Sequence, residues 1–406
     1  MTAVLLMLMS LAVDVYIFFD IRSFAARARR HLYCWIYGVS CVLCWALAIV
    51  TLNMPIRSPE ASILPVMWML FTYLSIYIPK FIYALISIVG RIVNAIRRKR
   101  SRGGAVTGAV VAVLTFCVMW WGVIFTRRDI EVNNVELYSD KLPASFDGFR
   151  VTQFSDAHVG TWGNDTTFIS QLVDSLNAQE ADVIVFTGDI VNRQSSELDP
   201  FIPVLKRLHA PHGVYAIFGN HDYAGYVDWP GGGDANEDVA KLAAKIEGMG
   251  WKLLANKTDF IRSGNDSIVM IGVENWGEPP FNTLGDLGKS YPDSLGRHRG
   301  LNDDMYKILL THNPQHWKMV ATDISNIDLS LSGHTHAMQM MLEAGDWKWS
   351  PSVYRYPEWG GLYKATAKDG NPMNLYVNIG VGEVGFPARI GAARPEITNI
   401  VLHTKK

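Results

Sequence analysis

The residues best suited to chemistry are acids, amides and imidazoles that recur just after short apolar runs. Asp156 and His158 follow 149–154, Asp189 follows 183–186, and Asn220, His221 and Asp222 follow 214–218. His312 follows 307–310, and His334 and His336 follow 329–332. Imidazole binds Zn, Fe and Mn well, while carboxylate adds charge and favours harder ions. No cysteine lies beyond Cys117. The set therefore points to a pair of divalent ions (Mn, Fe or Zn) rather than to a structural zinc. Two ions about 4 Å apart can bind a phosphoryl group, activate a water and stabilise a leaving oxygen. Each piece alone is weak. A Gly-Asp after a strand is commonly a turn, Gly-Asn-His-Asp can close an Asx turn, and a lone histidine after a strand is more often structural. Their joint occurrence, in order and each after an apolar strand, makes coincidence improbable.

Such scattered groups meet only if the chain brings strand ends together. Segments 149–154, 183–186 and 214–218 read as buried strands. Between them, 164–178 has helical spacing, with Phe168, Leu172, Val173 and Leu176 on one face. Segment 200–208 reads as a short helix and 238–249 as a longer one. Strands are predicted at 267–273, 307–310, 329–332 and 375–378. The early alternation of strand and helix indicates an α/β layered core. Because strands dominate later, the expected fold is a four-layer α/β/β/α sandwich. Ligands of open α/β sheets bind at the carboxyl ends of the strands, where these polar residues lie.

The pattern resembles that of the calcineurin-like metallophosphoesterases. It is carried by Asp156-Ala157-His158, Gly188-Asp189, Gly219-Asn220-His221-Asp222, Thr311-His312 and Gly333-His334-Thr335-His336, over about 147–403. The runs 142–148 and 393–397 make it most similar to the membrane-linked branch. The resemblance implies that Asp156, His158, Asp189 and His336 hold one ion. It implies that Asp189, Asn220, His312 and His334 hold the other. Asp189 would bridge, offering two oxygens, and Asn220 would add a neutral one. A hydroxide between the ions would attack phosphorus in line. His221 would be the acid for the leaving oxygen or a stabiliser of the transition state, with Asp222 orienting and charge-stabilising it. One departure is Asn192, where many members have a second Asp that is usually not a direct ligand.

The first third of the chain is different. Apolar runs at about 2–21, 32–52, 63–89 and 105–125 suit bilayer crossing, which needs about 20 mainly apolar residues. The expected organisation is a transmembrane region over 1–126, a linker and first strand over 127–146, and a metallophosphoesterase domain over 147–406. The first run has no basic start and no clear cleavage site, so it reads as a retained helix rather than a signal peptide. Asp14 and Lys80 could mark a polar pathway, but finding a polar partner is the simpler expectation. All four cysteines (Cys34, Cys41, Cys44 and Cys117) lie inside apolar runs, against a disulfide framework. Residues 1–128 carry a net charge of +11 and the remainder −12. The acidic part is a poor general binder of nucleic acid. The first and third loops are rich in arginine, whereas the second has only Arg57 and Glu60. Loops one and three should be cytoplasmic, which places both chain ends, and the catalytic domain, outside the cytoplasm of a multi-pass membrane protein.

Three segments are candidate pocket walls: 229–233; the Gly/Pro-rich 274–300 with Trp276, Arg297, His298 and Arg299; and the aromatic 347–363. The last suits either a membrane interface or a lid packed on the core. For Arg389 and Arg394, an exposed ion pair is preferred to a phosphate contact. The expected function is hydrolysis of a phosphomonoester, phosphodiester or pyrophosphate, of a phosphorylated small molecule or an envelope lipid. A nucleotide phosphodiesterase and a silent membrane scaffold or sensor are the alternatives.

Overall fold

A computed structural model describes residues 2–24, 26–229, 235–279, 281–290, 305–321, 327–367 and 370–405. They form two compact units. One comprises 1–56, 65–124 and 385–388; the other comprises 57–64, 125–384 and 389–406.

The first unit is helical: α1 (Thr2–Phe24), α2 (Arg30–Leu52), α3 (Leu64–Ile96) and α4 (Gly103–Ile124). Three stretches, Arg30–Leu52, Leu64–Ile96 and Gly103–Arg128, are long and apolar enough to cross a membrane. α3 continues past the expected end at 89, through Arg91. That charge is accommodated because Asp20 of α1 pairs with it, while Tyr83 Oη and Ser87 Oγ donate to Asp20 at 2.9 and 3.2 Å. Asp14 is likewise satisfied. Lys80 Nζ lies 2.8 Å from its carboxylate, and Tyr37, Tyr77 and Trp45 donate to it. The simpler expectation, a polar partner, matches these contacts.

The second unit is built on two six-stranded sheets. Its strands are β1 (Glu131–Ser139), β2 (Phe149–Phe154), β3 (Val183–Phe186), β4 (Val214–Ala216), β5 (Lys252–Leu253), β6 (Lys257–Ser263), β7 (Asp266–Gly272), β8 (Lys307–Leu310), β9 (Leu329–Ser332), β10 (Met340–Ala344), β11 (Trp347–Trp349), β12 (Gly361–Thr366), β13 (Pro372–Val377), β14 (Ile390–Gly391) and β15 (Glu396–Thr404). The first sheet has the order β1-β15-β2-β3-β4-β5 and the second β12-β13-β9-β8-β7-β6; β10, β11 and β14 form a small third one. The last strand closes the first sheet by pairing parallel to β1 and antiparallel to β2.

Strand period puts alternate side chains on opposite faces. Val183 and Val185 of β3 enter the core between the sheets, with Ile268, Met270, Ile308, Leu310, Leu329 and Leu331. Ile184 and Phe186 face the other way, against α5 (Thr167–Asn177) and α7 (Ala235–Gly248). The outer face of the second sheet is covered more thinly, by segments around Leu287 and Trp317. Strands buried on both faces read as continuous apolar runs, which is why the central ones were visible in the sequence. The expected helix at 200–208 is instead a 3-10 segment over Ser195–Phe201 followed by one short α-turn, α6 (Ile202–Leu205).

Candidate metal centre

The central strands end on one side, and each is followed by a sharp turn. Asp156, His158, Asp189, His334 and His336 all have positive φ, between 41° and 74°. Such conformations cost about 1–3 kcal/mol each and cluster at functional sites. The turns need glycine for space. A Cβ on Gly219 would lie 2.2 Å from Asp189 Oδ1, and one on Gly333 would lie 2.2 Å from Asp156 Oδ2.

Two groups of ligand-type atoms result: Asp156, His158 and His336, and beside them Asp189, His312 and His334. In the first, His336 Nε2 is 3.1 Å from both Asp156 Oδ1 and His158 Nε2. In the second, His312 Nε2 is 3.1 Å from Asp189 Oδ2 and 3.2 Å from His334 Nδ1. Asp189 Oδ2 also lies 3.6 Å from His158 Nε2, so this one oxygen faces both groups. Asp189 Oδ1 is occupied, accepting the His221 backbone N–H at 2.7 Å. Oδ1 thus has a backbone donor, while Oδ2 lies toward the imidazoles of both groups.

The imidazoles are oriented from behind. His158 Nδ1 and His312 Nδ1 lie 3.1 and 2.8 Å from the carbonyls of Val191 and Thr187, which turns their Nε2 atoms inward. His334 uses the opposite nitrogen, its Nε2 lying 2.8 Å from Tyr356 Oη. Asn220 Nδ2 donates to Tyr226 Oη at 3.0 Å, while its buried Oδ1 has no partner among the described residues. An orphaned buried carbonyl oxygen beside six imidazole and carboxylate groups makes a donor set that suits divalent cations.

The electrostatics agree. Burial works to raise the carboxyls of Asp156 and Asp189, but neighbouring imidazoles outweigh it, His336 for Asp156 and His312 for Asp189, and hold both low. Burial lowers His312, yet Asp189 and Asp156 overcome it and raise the ring to about 9. Burial and then His312 lower His334 to about 3.

His221 and Asp222, the expected catalytic pair, have separate partners. Asp222 is buried, and its two oxygens accept from the backbone amides of Asp189, Ile190, Val191 and Gly219. It therefore fixes the turn that carries Asp189. What orients His221 is the carbonyl of Asn192, 2.7 Å from Nδ1, together with Tyr226 stacked at 4.3 Å. Burial, with Asp189 adding to it, raises Asp222 to about 7.

Several contributors were not foreseen. Phe281, from the long loop, stands edge-on to His334 at 4.9 Å. Its companions Arg297, His298 and Arg299 lie outside the described residues, as does most of 229–233. In the aromatic segment, Tyr356 and Trp359 are buried against Ala337, Met341 and Ile379, whereas Trp347 and Tyr354 are exposed. Arg394 pairs with Asp129, as expected. Arg389 does not form an exposed pair. It is fully buried, and its guanidinium donates to the carbonyls of Ile379, Gly382, Ala393 and Arg394. Glu383, next to this loop, takes a two-pronged pair from buried Arg127 at 2.8 Å on each arm.

A second unforeseen feature is the segment 57–64, which joins α2 to α3 yet folds with the second unit. Arg193, beside Asn192, donates to the carbonyls of Ser58 and Ala61 and to Glu197. Gln194 Nε2 donates to Pro59 O at 2.7 Å, and Arg57 pairs with Asp228.

Comparison with known proteins gives two family matches. Residues 149–338 match the family described as calcineurin-like phosphoesterase, and residues 1–127 match probable calcineurin-like phosphoesterase, transmembrane domain. Among curated relatives, the uncharacterized metallophosphoesterase YkuE of Bacillus subtilis is 30% identical, over 67% of this chain and 85% of the relative. A transmembrane protein with metallophosphoesterase domain from Danio rerio is 28% identical, over 79% of this chain and 69% of its own length. A solved structure of a dimetal phosphatase from Danio rerio aligns with a TM-score of 0.30 at 10% identity, over 58% of this chain and 88% of the other.

Proposed function

The chain belongs to the calcineurin-like phosphoesterases, and we propose that it is a membrane-anchored hydrolase of a phosphoester or pyrophosphate, working with two divalent metal ions. The observation that carries this reading is the pair of ligand groups sharing Asp189 Oδ2, with Asn220 Oδ1 left unsatisfied beside them. Asp156, His158, Asp189 and His336 would hold one ion, and Asp189, Asn220, His312 and His334 the other. Bound there, the ions supply charge to a phosphoryl group and lower the pKa of an attacking water.

The protein's own residues do the rest. His221 keeps Nδ1 as a donor to the Asn192 carbonyl, so Nε2 is the atom that can exchange a proton. Giving that proton to the leaving oxygen leaves a neutral ring with Nδ1–H, the tautomer the carbonyl already favours. Asp222 keeps Asp189 in place through its four amide contacts. The substrate is a phosphorylated small molecule or lipid, and the bilayer tether favours the lipid.

The catalytic domain is proposed to lie outside the cytoplasm. Its support is the weakly charged second loop, residues 57–64, which folds with the catalytic unit and so shares its side of the bilayer.

The test uses purified full-length protein loaded in turn with Mn, Fe and Zn. Asp189→Ala or His334→Ala should abolish hydrolysis of an aryl phosphate ester while circular dichroism stays unchanged. Full activity in either variant would overturn the assignment.

A further inference from the structure

We propose that the helical unit carries a second, non-catalytic ligand site, a cationic cavity at the α3–α4 connector that binds a phosphate-bearing anion. The cavity measures about 440 Å³ and is lined by Arg91, Lys99, Arg100, Arg102, Ser23 and Ser101, among others. Small-molecule sites commonly fall between about 300 and 1,000 Å³.

Its construction follows from two glycines. A Cβ on Gly90 would lie 2.6 Å from the Cα of Gly104, so α3 and α4 meet backbone to backbone at the cavity wall. The connector then folds back in a defined shape. Arg98 takes a positive φ of 49°, the Lys99 amide donates to Asn94 O at 3.0 Å, and Asn94 Nδ2 donates to Ser101 O at 2.7 Å. These bonds hold the basic run around the cavity.

Charge identifies the ligand class. Arg91 is neutralised by Asp20 and packs over Tyr16. Among the described residues, no carboxylate pairs with Lys99, Arg100 or Arg102, and none lines the cavity. Three cations with the Ser101 hydroxyl, which accepts from Gly103 N and keeps its own proton to donate, suit a phosphate, whose oxygens accept from guanidinium forks and hydroxyls together. A basic pocket between apolar helices on the cytoplasmic side can take a lipid headgroup, and the same chemistry would accept free phosphate. A purely topogenic run needs basic side chains but no walled cavity. Arg97 and Arg98, in the same run, do not line it.

The experiment is native mass spectrometry of the full chain in detergent, titrated with phosphatidylglycerol, phosphatidylcholine or inorganic phosphate. One phosphatidylglycerol per chain should be retained in preference to phosphatidylcholine. The double variant Lys99→Gln/Arg102→Gln should weaken retention by about tenfold or more. Arg97→Gln/Arg98→Gln, with equal loss of charge, should leave it within about twofold. Retention that survives millimolar phosphate identifies a headgroup site, and displacement with phosphate bound in its place identifies a soluble anion; both support the cavity. Equal loss in the two double variants, or no preference for phosphatidylglycerol and no phosphate bound, would overturn it. Because the catalytic residues are untouched, aryl phosphate hydrolysis checks the other site separately.

Discussion

At the scale of the residue, several of the candidate ligands have one end committed to the scaffold. His158 and His312 spend Nδ1 on backbone carbonyls, and Asp189 spends Oδ1 on a backbone amide. His334 differs, because its partner is the hydroxyl of Tyr356. Tyr356→Phe keeps the ring and its packing but removes that hydrogen bond. Metal affinity should then fall by about 10–100-fold, as expected when an outer partner of a ligating histidine is lost. Calorimetric titration of the metal-free protein measures it, and unchanged affinity would deny Tyr356 this role. The candidate ligands themselves were legible in the sequence, because each sits directly after an apolar strand. Tyr356 was not legible as their partner, since 22 positions separate it from His334 and nothing local joins them. The partners of Asp222 were equally hidden, being backbone amides that no residue type announces.

At the scale of the element, the notable piece is the connector between α2 and α3. Its carbonyls hold Arg193, whose neighbour Asn192 supplies the carbonyl that orients His221. Glu197 braces the same turn, accepting from the amides of Asn192 and Arg193. Arg193→Met retains an aliphatic stem and removes the clamp. Because His221 is outside both ligand groups, kcat should fall by about tenfold or more, with metal affinity unchanged. Steady-state kinetics and a metal titration separate the two. An unaltered kcat would reduce the connector to a tether. In the sequence this connector was only a weakly charged loop. Its contacts span more than 130 positions, and burial of its carbonyl partners depends on a fold that short-range pattern does not encode.

At the scale of the whole molecule, the chain joins a basic helical unit to an acidic phosphoesterase-family unit. Charge on the first and third loops sets the expected orientation. The pairing of β1 with β15 ties the first strand of the second unit to its last. A reporter active only outside the cytoplasm, fused after Lys406, should therefore be active. A silent reporter on a stably expressed fusion would reverse the topology.

The sequence by itself determined the family, the strand ends where chemistry gathers, and the apolar segments. These depend on local order: an apolar run, a turn, a ligand, or about 20 apolar residues in a row. Tertiary structure alone decided that Asp189 Oδ1 meets a backbone amide, that Asp222 serves the backbone, and that Arg389 is buried. It also recruited segment 57–64 to the second unit and shaped an open cationic cavity where two glycines let α3 and α4 touch. Each of these depends on which distant groups compete for the same donor, acceptor or space, and that competition exists only once the chain is folded.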